Sequence, residues 1–264
     1  MNSKRKVAVI FAACGAVAGA VAEAVAHEVA QIFLSGRNRD RVQEVADNLR
    51  REGLTTEAAC VDAIDAPSVE KYIDGIAART GRIDFLFNGI GTRPTDGGYG
   101  LPAEMLTCDQ FVRPFSTHVV SQFLTARAAA RHMRAARTGV VLTLSASLSR
   151  DTPPFMAGVA GACAAIEAMT RSLAREWGRD GVRVVCLRPT AMPETRTIRE
   201  TITAHARTLG IPPEVMAASI RESSLLKRDL TLSEMGDVAA FLASDAASAI
   251  TGQVIDVSCG QVVT

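Results

Sequence analysis

Five side chains of this sequence have the chemistry to act on a small molecule: Ser145, Tyr99, His118, Cys163 and Arg188. Ser145 follows the apolar run GVVLTL, where a hydroxyl either orients a ligand oxygen or satisfies loop backbone. Tyr99 lies in the glycine- and proline-rich stretch GTRPTDGGYGLP, where a phenol either donates a proton or packs. His118 titrates near neutrality, as a proton shuttle or as a buried ring satisfied by a carbonyl. Cys163 sits in AGACAA, either a thiol awaiting a base or a small apolar residue in close helix packing. Arg188 precedes Pro189 at the end of VRVVCLRP and suits a substrate carboxylate or phosphate, or else a structural acid. No HxH, HExxH, CxxC or acidic cluster is present, so no metal site is expected. His27, His132 and His205 suggest no role.

Alternating apolar runs and helical patterns must position these groups. KVAVIF, QIFLSG, TEAACVD, IDFLFNG, GVVLTLSA, GVRVVCLRP and GQVIDVSCG read as strands. Helices are expected over 16–29, 39–51, from Ser68 to Thr80, from Thr107 or Asp109 to about Ala136, over 159–177, and over 232–244. Residues 190–229 form an insertion with two short helices, whose apolar residues predict a lid over a hydrophobic ligand. This βαβ alternation predicts one α/β domain over 1–264, a doubly wound parallel sheet with helices on both faces. Ligands bind such sheets beyond the strands' carboxyl ends. That gathers Phe11–Ala18, Ser35–Asn38, Asp62, Asn88–Gly91, Ser145 and Arg188–Thr190 at one cleft.

The 264 residues carry a net charge of +1, and 48% are apolar. No dense basic patch argues for nucleic acid or an acidic membrane surface as partner. Six scattered cysteines fit a reducing cytoplasm without disulfides. The opening NSKRK with VAVIFAACGAVAGAVAEAVA imitates a secretory leader, but a strand turning into a helix accounts for it as well.

The chain resembles the short-chain dehydrogenase/reductase family over essentially its whole length. The resemblance rests on AAIEAMTRSLAREWGRDGVRVVCLRP, FLASDAASAITGQVIDVSCG, DFLFNGIG, LSGRN and CVDAID. It implies a Rossmann-like fold, a nicotinamide dinucleotide and a homodimer or homotetramer acting on a small, apolar organic ligand. Gly15, Ala16, Val17, Arg37, Asn38, Asp62, Asn88, Gly89 and Pro189 fall on its cofactor-binding positions. All three glycines of the family's phosphate turn are alanine here (Ala12, Ala16, Ala18), which weakens dinucleotide binding unless a shifted turn places Gly15 at positive φ. Gly36 stands where an acidic side chain would hold a free ribose hydroxyl, and Arg37 suits a 2′-phosphate, so NADP(H) is favoured.

The transfer group departs further. The family's asparagine falls on His118, its serine on Ser145, or on Ser147 if the loop is offset. Its tyrosine falls on Val159 and its lysine on Cys163. Valine transfers no proton and a thiol is no fixed cation. Ordinary hydride transfer is therefore expected to be lost, with His118, Ser145, Cys163 or Tyr99 left for altered chemistry and Val159 to line substrate space. The alternatives are a cofactor-independent lyase, isomerase or cyclase, and a non-catalytic subunit or binding protein.

Overall fold

The computed structural model describes residues 6–263. Seven strands form one parallel sheet in the order β3-β2-β1-β4-β5-β6-β7. They are β1 (Val7–Phe11), β2 (Gln31–Gly36), β3 (Thr55–Cys60), β4 (Phe85–Asn88), β5 (Gly139–Leu144), β6 (Val182–Pro189) and β7 (Val254–Val257). Alternate side chains of a strand point to opposite faces. Ala8 and Ile10 of β1 thus enter one core, while Val7, Val9 and Phe11 enter the other. The first core is closed by α1 (Ala16–Val25), α2 (Arg39–Arg51) and α9 (Leu232–Ala243). The second is closed by α3 (Ala66–Thr80), α5 (Val120–Ala136) and α6 (Ala157–Trp177). α4 (Cys108–Pro114) precedes α5, and the 190–229 segment forms α7 (Arg196–Leu209) and α8 (Pro213–Ser223). The expected doubly wound α/β architecture is thus the observed one. No described helix is long and apolar enough to cross a membrane.

Several expectations need correction. α1 stops at Val25, short of Val29. α3 begins at Ala66, with Asp65 rather than Ser68 in the capping position. The leader-like stretch forms β1 and α1, and residues 1–5, which include the basic Lys4 and Arg5, lie outside the described residues. The single long helix to Ala136 is broken. Thr107 and Gln110 make a capping box at its start, but the backbone widens into a π turn over Phe115–Val119 before α5. Pro114 explains the break: it has no N–H to donate and its ring crowds the preceding turn.

The small first turn of α6 serves this packing. A Cβ on Gly158 would stand 2.8 Å from the Phe111 carbonyl, and one on Gly161 would stand 3.0 Å from the Phe115 ring. The chain from α4 through the π turn lies directly on α6 because those positions lack side chains.

Candidate functional site

The sheet reverses its winding between β1 and β4, so the carboxyl ends of these strands frame the cleft. Phe11 pairs with Ser35 on one side and Asn88 on the other. The turn after β1 holds its left-handed conformation at Ala12 (φ 59°), whereas Gly15 is extended at φ −81°. The alternative of a turn shifted to Gly15 is therefore not the one seen: an alanine carries the strain that glycine would avoid. Ala12→Gly should raise the unfolding free energy by about 0.5–1 kcal/mol, read from urea denaturation. A loss of stability would show that this turn is not left-handed.

Gly15 caps α1 without a side-chain bond, and no acidic residue lies in the first turn. The helix end therefore keeps free amides for an anion, with Gly15 and Ala16 exposed and Val17 half-buried. The Ala18 methyl is accommodated by Gly89: a Cβ there would lie 2.8 Å from it. The glycine missing from the turn has in effect moved to the facing loop. A Cβ on Gly36 would stand 3.0 Å from Val42 Cγ2, a tight contact, and glycine itself presents no carboxylate to a ribose hydroxyl. Arg37 is exposed and forms no ion pair among the described residues. Asn38 spends its side chain capping α2, accepting from the Arg41 amide at 3.0 Å. Asp62 is half-buried, accepting weakly from the Ile64 amide. Asn88 bridges β4 to α5, donating to Ser121 and Thr125 and accepting from Ile90 N–H at 2.9 Å. Pro189 closes β6 in register with Val257. Of these groups, the open end of α1, exposed Arg37 and half-buried Asp62 are the ones with polar atoms left to hold the phosphates and adenosine of a dinucleotide, while Asn38 and Asn88 spend their side chains within the protein.

At the other end of the cleft, Tyr99, Met156, Val159 and Cys163 form a separate buried apolar cluster, with Ala146 and Leu148 packed against it. Tyr99 reaches it from the loop after β4 and is 7% exposed. Its hydroxyl is buried without a hydrogen bond. The Thr92 hydroxyl, joined to Thr117, lies close enough to act against a rise in the phenol's pKa. Burial pushes the Tyr99 phenol above its ordinary range, and the nearby Cys163 thiol adds to that. Burial also pushes the Cys163 thiol up to about 12, so a thiolate is disfavoured rather than activated. The lysines of the chain are Lys4, Lys6, Lys71 and Lys227, and none of the described ones joins this cluster. Lys6 pairs with Asp245, beside the amino-terminal ends of the strands.

His118 sits in the π turn. Its Nε2 accepts the Thr92 amide at 2.5 Å, which places the proton of a neutral ring on Nδ1. Burial lowers its pKa to about 4. The ring is thus a fixed acceptor that pins the Tyr99 loop to the π turn. No described hydrogen bond joins it to Cys163.

Of the two readings offered for Arg188, the structure shows the structural acid, and Ser145 bonds one of the same acids. Arg188 is buried and donates to Asp256 through Nε at 2.6 Å and Nη2 at 2.7 Å. Its Nη1 donates to Glu167 at 3.2 Å. Ser145 Oγ donates to the same Glu167 at 3.0 Å, and Ser149 does so too. Arg188 is therefore committed to structural acids, and Ala146, next to Ser145, packs on the Val159–Cys163 cluster. Ser147 opens a single 3-10 turn over Ser147–Ser149.

Residue types alone missed Glu167, Thr92 and His205. Buried His205 of α7 places Nδ1 3.0 Å from the Thr201 carbonyl and Nε2 3.1 Å from the Pro154 carbonyl. Thr208 of the same helix donates to the Gly100 carbonyl, and Gly100 N–H donates to Phe155. α7 is thereby fastened to both loops that cover Val159. The sequence signal was weak: one histidine on the face of α7 that also buries Ile202 and Ala206.

A family model described as enoyl-(acyl carrier protein) reductase matches residues 12–261. A (5R,7aS)-5-hydroxy-7a-methyl-1-oxo-2,3,5,6,7,7a-hexahydro-1H-indene-carboxyl-CoA reductase of Mycobacterium tuberculosis (strain ATCC 25618 / H37Rv) is 30% identical over 257 residues, covering 96% of this chain and 92% of the relative. Gluconate 5-dehydrogenase of Gluconobacter oxydans (strain 621H) is 27% identical, covering 88% of this chain and 84% of its own. Among solved structures, an NAD+-bound xylitol dehydrogenase superposes with a TM-score of 0.91 at 25% identity, covering 97% of this chain and 99% of that one. An actinorhodin polyketide ketoreductase with NADPH gives 0.89 at 19% identity, covering 98% of each chain, a likeness of fold.

Proposed function

The chain belongs to the short-chain dehydrogenase/reductase family of NAD(P)-dependent oxidoreductases, and we propose that it is an NADP(H)-leaning member whose Ser-Tyr-Lys hydride-transfer group is lost. One observation carries this reading. The α6 positions Val159 and Cys163 are buried under Tyr99, with no lysine in the cluster to tune a phenol or hold a ribose. The nucleotide end of the cleft supports binding: an open α1 terminus, exposed Arg37, and a glycine, Gly36, in place of an acidic side chain. The segment 190–229 acts as the lid, and the ligand beneath it is small and apolar. Assembly into a homodimer or homotetramer is supported by Phe111, Val112, Val120 and Phe123, exposed along α4 and α5.

Binding and turnover are separable. Titrated into the protein, NADPH should bind about tenfold or more tightly than NADH, the difference one charge-assisted contact supplies, and Arg37→Ala should erase the preference. Nicotinamide absorbance with a carbonyl panel should show turnover at least about 10²–10⁴ below a typical family rate, the share a general acid supplies. Turnover near about 10 s⁻¹ would overturn the proposal. The exposed methyl of Ala16 favours a second reading, a cofactor-independent or non-catalytic protein, which absence of binding by both nucleotides would select.

A further inference from the structure

We infer that the Tyr99 hydroxyl is the recognition group for a neutral acceptor oxygen, such as a ketone or ester carbonyl, on an otherwise apolar ligand beneath α7. The inference rests on the reading of the cleft as a binding site and adds the atom that does the recognising. An unpaired buried hydroxyl is costly, and folded proteins keep few of them. Among the described residues only Ser35 and Tyr99 bury a side-chain oxygen or nitrogen without a partner. Ser35 lies within β2, in the packed sheet. Tyr99 lies in the cleft, on the two α6 positions where transfer residues would stand.

The chemistry of the surroundings restricts the ligand. Met156, Val159, Cys163, Ala146 and Leu148 supply an apolar wall, and Arg188, the only buried lysine or arginine among the described residues, is spent on Asp256 and Glu167. A carboxylate or phosphate there would be stripped of water without a counter-ion, so an anion is excluded. The buried phenol is held in its protonated form and has one hydrogen to give. A carbonyl oxygen is the matching acceptor. Access is governed by the fastening already described: Gly100, next to Tyr99, is tied to Phe155 and to Thr208 of α7. Gly98 and Gly100 hold positive φ angles of 62° and 83° on either side of Tyr99, conformations that suit a loop able to re-aim that ring.

The test uses full-length protein and two probes of nearly the same shape, β-tetralone, which has a carbonyl, and tetralin, which has none. Calorimetric titration and thermal shift are run on the wild type and on Tyr99→Phe. The variant should melt at or above the wild-type temperature, because it removes an unpaired polar atom and keeps the ring. β-Tetralone should bind the wild type about 5–10-fold more tightly than Tyr99→Phe, the factor for one neutral hydrogen bond. Tetralin should not distinguish the two proteins. Equal affinity of β-tetralone for both proteins, or no binding of it to the wild type, overturns the inference. NADPH titration of the same samples separates the two ideas: its failure touches the nucleotide proposal alone, and failure of β-tetralone touches Tyr99 alone.

Discussion

Arg188→Met is expected to destabilise the protein by about 3–5 kcal/mol, the penalty for removing one partner of a buried ion pair. The guanidinium is 3% exposed and sits between Glu167, 5% exposed, and the half-buried Asp256. Its five donors are well used: a two-pronged bond to Asp256 and a third contact to Glu167. Methionine fills the volume but leaves the Glu167 carboxylate with only two hydroxyls, from Ser145 and Ser149. Set against a total stability of about 5–15 kcal/mol, the loss should lower the melting temperature by about 10 °C. The double variant Glu167→Leu with Arg188→Met should recover much of it, because an apolar pair needs no hydration. Urea denaturation checks both. A substrate-binding arginine would behave oppositely, with stability kept and ligand affinity lost, so an unchanged unfolding midpoint in Arg188→Met would restore the ligand role. The network joins α6, β6 and β7 through side chains alone, which is why a stability effect of this size is expected from a residue at the cleft's edge.

The ease of reading each feature followed the range of the physics behind it. Strand and helix positions came from local periodicity, since strands buried on both faces are continuous apolar runs such as VAVIF. The π turn was also written locally, in Pro114, but a helical pattern running on to Ala136 masked it. Arg188 was legible as a charge at a strand end and illegible in its purpose. Its partners lie 21 residues before it and 68 after it, and only the β6–β7 pairing and the packing of α6 bring them together. The same holds for Ala18 and Gly89, which exchange a methyl for a hydrogen across the cleft. On α6 the motif resemblance pointed to Val159 and Cys163, and the structure buries both in one cluster with Tyr99. The sequence offered Tyr99 only as one candidate, because a loop's path over a helix is set by contacts such as Thr92 to His118 that no spacing encodes.

That last contact leads to a pH dependence. His118 titrates near 6.5 when unfolded and near 4 in the folded chain, burial being the cause. Between these values the unfolded chain holds a proton that the folded chain excludes, so stability falls as pH drops from about 6.5 toward 4. The full difference corresponds to about 3 kcal/mol at 1.36 kcal/mol per pH unit, of which about 2 kcal/mol should be lost between pH 7 and pH 5. His118→Gln keeps an acceptor for the Thr92 amide but cannot titrate, so its urea-derived stability should lack this share of the decline. The comparison of the two proteins cancels the carboxylates and the other histidines, which both contain. Equal slopes in wild type and variant would show that the imidazole is not held neutral. Protonation would also turn Nε2 from an acceptor into a donor facing the Thr92 N–H, a contact it could not keep. The Tyr99 loop should therefore loosen in the same pH range, read as faster amide hydrogen exchange over residues 92–101 in the wild type than in His118→Gln, once each rate is corrected for pH.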